Sequence, residues 1–91
     1  MNPIKPTKMK LTLAVIGERR GVKFKTQVKF TLFPPDGSDY YGNGYYMDVE
    51  HDGCIHYIDV RYSGTTDIEK LARIWIKNYF GNNVEEIKTV A

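Results

Sequence analysis

From Lys8 onward, apolar and polar residues alternate along the chain. Met9, Leu11, Leu13 and Val15 fall on one side, and Lys8, Lys10 and Thr12 on the other. After a polar turn bracketed by Gly17 and Gly21 the alternation resumes. Val22, Phe24, Thr26, Val28, Phe30 and Leu32 are set against Lys23, Lys25, Gln27, Lys29 and Thr31. Two alternating strands around a glycine-flanked loop predict a β-hairpin. No favoured two-residue turn lies between them, so the register stays open. Pro34-Pro35-Asp36-Gly37 ends the second strand, and a loop runs on to Gly42-Asn43-Gly44. Met1–Thr7, with Pro3 and Pro6, reads as an extended arm ahead of a single domain over 8–91.

A second hairpin follows, and its register is readable. Asp52-Gly53 is a strong signal for a type I′ turn. With that pair at the tip, His51 meets Cys54, Val49 meets His56, Met47 meets Ile58 and Tyr45 meets Val60. The other face collects Tyr46, Asp48, Glu50, Ile55, Tyr57, Asp59 and Arg61. Thr66-Asp67-Ile68-Glu69 then has the form of a capping box, with Thr66 expected as the cap. Ile68, Leu71, Ala72, Trp75 and Tyr79 share one helical face, widened by Ile76 and Phe80, and Gly81 suits the helix end. Val84–Val90 fits a short fifth strand. The fold class expected is α+β: a four- to five-stranded antiparallel sheet of two β-hairpins, with one C-terminal helix on one face, in the order ββββα(β). A single helix covers only one side of a sheet, so the other side is left for solvent or a partner.

Charge changes the picture. Residues 1–33 carry eight Lys and Arg against Glu18 alone, a net of +7. Residues 34–91 carry five against ten acids, a net of −5, and Pro34–Val60 holds no Lys or Arg at all. The total of +2 therefore conceals a polarised molecule, which bears on fields and partners rather than on fold. On the open face the alternation places Lys8, Lys10, Lys23, Lys25 and Lys29 from the first hairpin. Some of these lysines are expected to oppose one another across the strand pair, which costs up to about 1 kcal/mol per pair. The acids of the second hairpin would compensate only if the two hairpins adjoin, which the sequence leaves open.

Candidate chemistry is sparse. The spacing of Asp48, Glu50, Asp52, Gly53 and Asp59 resembles the EF-hand calcium loop, but both flanks alternate as strands where that loop needs helices. His51, Cys54 and His56 share a face without a clear fourth ligand, so no metal is expected. No nucleophile elbow, zinc-protease helix or phosphate-binding loop is present, and no cofactor or catalytic residue is assigned. A single cysteine, Cys54, forms no internal disulfide and suits a reducing compartment. No apolar run approaches the roughly 18 residues of a membrane helix, so a cytoplasmic protein is expected.

The leading expectation is a small non-enzymatic regulatory or inhibitory protein, of a size common among phage-encoded proteins. It would bind a larger protein through Tyr40, Tyr41, Tyr46, Asp48, Glu50 and Tyr57. Tyrosine supplies large contact area at low entropic cost. The alternative is nucleic-acid binding through Lys8, Lys10, Arg19, Arg20, Lys23, Lys25 and Lys29, because clustered cations on one hairpin suit phosphates. A homodimer closed by the open sheet face is the third reading.

Overall fold

A computed structural model describes residues 8–35, 44–61 and 63–91. The expected arm over 1–7 and the candidate contacts Tyr40 and Tyr41 lie outside the described residues. Five strands form one antiparallel sheet: β1 (Met9–Arg19), β2 (Val22–Phe33), β3 (Tyr46–His51), β4 (Cys54–Asp59) and β5 (Val84–Thr89). Their spatial order is β4-β3-β2-β1-β5. The helix α1 (Ile68–Phe80) comes between β4 and β5 in sequence, and a 3-10 turn over Gly81–Asn83 leads into β5. This is the expected α+β architecture, with the fifth strand present.

The first hairpin turns at Arg20-Gly21, where both residues have positive φ, 52° and 79°. An arginine in the left-handed region is uncommon, which is why the sequence left this register open. It runs from Met9 opposite Leu32 to Arg19 opposite Val22. In the second hairpin, His51–Cys54, Val49–His56 and Met47–Ile58 pair as the Asp52-Gly53 turn dictates. Positive φ at Asp52 and Gly53, 52° and 77°, fits the type I′ geometry.

The core lies between α1 and one face of the sheet. Leu13, Val15, Val28, Phe30, Leu32, Met47 and Val49 from the strands meet Ile68, Leu71, Ala72 and Ile76 from the helix. Full burial contributes about 1.5–3 kcal/mol for each of the larger side chains. Two sequence expectations for the helix are corrected. The cap is Asp67 rather than Thr66: its carboxylate accepts from the N–H of Glu69 at 3.0 Å and of Lys70 at 3.4 Å. One residue closer to the first turn, the aspartate reaches two free donors at once, and Thr65 Oγ1 accepts from the Asp67 N–H. Tyr79, expected on the buried face, is half exposed because the deepest helical stripe runs through Ile76. Gly81 ends the helix with φ 63°, as expected.

β5 closes the other side of the sheet against β1, with a bulge between Ile16 and Gly17. Gly17 is fixed there by crowding, since a Cβ would collide with the Asn83 carbonyl oxygen and the Phe24 ring.

Candidate protein-binding face

The two hairpins adjoin. β2 pairs with β3 so that Lys29 faces Glu50, Thr31 faces Asp48 and Phe33 faces Tyr46. Combining the registers gives the open face as rows across the strands. One row reads Ile55, Glu50, Lys29, Thr12. The next reads Tyr57, Asp48, Thr31, Lys10, and the one after it Asp59, Tyr46, Phe33. Towards the tip of the first hairpin, Gln27, Ala14 and Lys88 form a row, then Lys25, Ile16 and Glu86, then Lys23 and Glu18.

The expected clash of lysines across the first hairpin does not occur. Lys10 faces Thr31, Lys29 faces Thr12, Lys25 faces Ile16 and Lys23 faces Glu18. Because the strands pair in this register, each lysine meets a neutral or acidic partner and the like-charge cost is avoided. Lys29 gains Glu50 on its other side. The lysine ribbon is therefore interleaved with acids. Arg19 departs from the set altogether: it pairs with Val22 on the face that carries the core. Arg20 sits in the turn.

On the β3–β4 half the composition is acidic and aromatic. Tyr46 stacks on Phe33 with ring centroids 4.7 Å apart and planes 10° from parallel. Lys8 Nζ lies 6.0 Å from the Phe33 centroid, within cation–π range. Tyr57 is 71% exposed and Ile55 52% exposed. Tyr46, Tyr57, Ile58 and Asp59 line a depression of about 450 Å³ at the margin of β4. Phe33 was missed among the candidate contacts, although extending the β2 alternation two residues past Thr31 places it on this face.

The two aspartates of this half behave oppositely. Asp59 accepts from Arg61 Nε at 3.0 Å and Nη2 at 2.7 Å, and from the Arg61 main-chain N–H at 3.0 Å. The guanidinium bonds, with the main-chain bond second, hold its carboxyl below the usual aspartate range. Among the described residues no cation pairs with Asp48. Its Oδ1 is shielded from solvent with no hydrogen-bond partner among them. Desolvation pushes its pKa up. Glu50 is exposed.

The reverse face holds the two histidines in a ring cluster. His51 lies 5.4 Å from Tyr79 and 5.3 Å from Phe80, and His56 lies 5.4 Å from Trp75 and 5.8 Å from Tyr79, centroid to centroid. Trp75 and Tyr79 stack at 4.7 Å. Cys54 is exposed. Among the described residues no three His, Cys, Asp or Glu side chains are grouped to hold a metal ion. No described helix is long and apolar enough to cross a membrane.

No family model, curated protein or solved structure matches the chain.

Proposed function

We propose that this protein is a non-enzymatic interaction module that regulates a larger protein by docking on it through the β3–β4 half of its open sheet face. The observation that carries this reading is one row of that face. There Tyr57, largely exposed, stands directly opposite Asp48, whose carboxylate oxygen is desolvated and unpaired. An unsatisfied desolvated acceptor costs about 1–3 kcal/mol, and a partner's cationic or N–H donor would relieve that cost. Exposed tyrosine and isoleucine beside it supply apolar contact area of the kind that anchors protein interfaces. The stacked Phe33–Tyr46 pair, ordered before binding, lowers the entropy lost on docking.

A basic surface on the partner is the natural complement, because β3 and β4 carry Asp48, Glu50 and Asp59 and no Lys or Arg. A reducing, cytoplasmic setting fits the exposed single thiol of Cys54. Tyr57→Ala and Asp48→Asn test the assignment. Each should weaken partner capture at least tenfold with the fold intact by circular dichroism. Unchanged capture by both variants would overturn the reading.

A further inference from the structure

The sheet exposes several stretches of strand edge among the described residues, and they are not protected alike: β1 outruns β5 over 9–11, a stretch that carries Lys10. β5 is lined with Glu85, Glu86 and Lys88. β2 outruns β3, whose pairing with it stops at Lys29, and the uncovered length carries Lys23 and Lys25. Charged residues on an exposed edge discourage pairing with another strand. β4 has the sequence Cys-Ile-His-Tyr-Ile-Asp, with a single charge at its last residue. That charge is already engaged by Arg61. Of these edges, β4 is the unguarded one.

Its main chain is also correctly oriented. The two-residue turn makes His51–Cys54 a hydrogen-bonded pair, and the alternate pairs Val49–His56 and Met47–Ile58 follow. The Val60 N–H donating to the Tyr45 carbonyl at 3.3 Å continues the same ladder. The N–H and C=O groups of Ile55, Tyr57 and Asp59 therefore point outward, and among the described residues no strand pairs with them. The side chains of these same three residues lie on the acidic–aromatic half of the open face.

We infer that β4 accepts an extended, basic segment of the partner protein as a sixth strand, with alternate Lys or Arg side chains lying over the open face. This rests on the protein-docking reading and specifies its mode. Main-chain hydrogen bonds along the edge would supply affinity, and the side chains of alternate residues the selectivity. Charge decides the occupant. A cationic strand beside β4 would lie one strand away from Asp48 and Glu50 of β3, and neither β3 nor β4 carries a Lys or Arg to repel it. A second copy pairing β4 on β4 would bring no Lys or Arg from its own β3 or β4 to these acids.

The test uses the full chain, isotopically labelled, titrated with three synthetic peptides: acetyl-(Lys-Val)4-amide, the same peptide N-methylated at every residue, and acetyl-(Glu-Val)4-amide. The lysine peptide should bind, slow hydrogen exchange at the amides of Ile55, Tyr57 and Asp59, and leave β5 unaffected. The N-methylated and acidic peptides should each bind at least tenfold more weakly. Tyr57→Pro removes one outward N–H and should cost at least tenfold, while Tyr57→Phe retains binding. Equal binding of the N-methylated peptide at the same face would overturn strand addition while leaving docking on that face intact. Failure of the lysine peptide to bind, or binding confined to β5 or β2, overturns the inference. Concentration-dependent protection of the β4 amides without peptide assigns the edge to a second copy and also overturns it.

Discussion

Lys29 and Glu50 stand directly opposite each other across β2 and β3. This pairing joins the most basic stretch of the chain to its most acidic one. The charge that the sequence sorts into two blocks is re-mixed by the fold into neighbouring strands. What remains polarised is β3 and β4, two strands that carry acids and aromatic rings and no Lys or Arg of their own, with Arg61 engaging Asp59 at the end of β4.

One consequence concerns nucleic acid. Five lysines interleaved with Glu18, Glu86 and Glu50, and with Arg19 turned to the other face, present a weaker field to phosphates than a continuous basic ribbon. Labelled DNA and RNA should bind no tighter than the non-specific range of roughly 10⁻⁴–10⁻⁶ M at physiological salt. Fluorescence anisotropy at two salt concentrations checks this, and submicromolar binding with a steep salt slope would restore the lysine hairpin as the site.

Asp48 makes a prediction about pH. Desolvation raises its pKa in the folded state above the unfolded value. The folded protein therefore holds this proton more tightly, and the associated stability is present at low pH and lost as pH rises through the folded pKa. Asp48→Asn should thus be slightly more stable than the parent at pH 7, by a few tenths of a kcal/mol. That advantage should shrink as pH falls into the usual aspartate range. Thermal melts of the two proteins across pH 3–7, a window around the reference aspartate value of about 3.9, measure the difference directly, and an advantage that grows on acidification would refute the assignment.

The helix start separates two neighbouring residues. Asp67→Ala should cost about 1 kcal/mol by removing the acceptor for Glu69 and Lys70. Thr66→Ala should be nearly silent. Urea unfolding of both variants reads this, and the reverse ranking would place the cap at Thr66.

Gly17 is a packing site. A methyl group there meets the Asn83 carbonyl and the Phe24 ring where the β1–β5 register shifts past Glu85. Gly17→Ala should destabilise the fold by about 1–3 kcal/mol. Gly21→Ala, with open space around it, should be affected only through its positive φ. Denaturant midpoints for the pair discriminate crowding from backbone strain.

Legibility followed the range of the interaction. The Asp52-Gly53 turn encodes the second hairpin locally, so its register, and with it the opposition of Asp48 to Tyr57, could be read from the residues. Arg20-Gly21 encodes a turn of the same kind less openly, because arginine must adopt a left-handed backbone. The adjacency of β2 and β3 is a non-local pairing between segments separated by residues 36–43, and no local pattern reports it. For the same reason the ring cluster that joins His51 of β3 to Tyr79 and Phe80 of α1 was invisible. Phe33, by contrast, was available from the alternation and was overlooked where the strand meets Pro34. At the helix start, Thr66 and Asp67 offer equally good capping side chains, and only the backbone geometry separates them.

The acidic–aromatic margin, and not the lysine ribbon, is the surface proposed to meet a partner. The most direct measurement compares capture of proteins from the source cells by the parent chain, by Tyr57→Ala with Glu50→Gln, and by Lys23→Gln with Lys25→Gln. All three are to be verified as folded. A partner should be retained by the parent and by the lysine variant and lost by the Tyr57 variant. Retention by the Tyr57 variant with loss from the lysine variant, or no protein retained by the parent, would contradict this proposal.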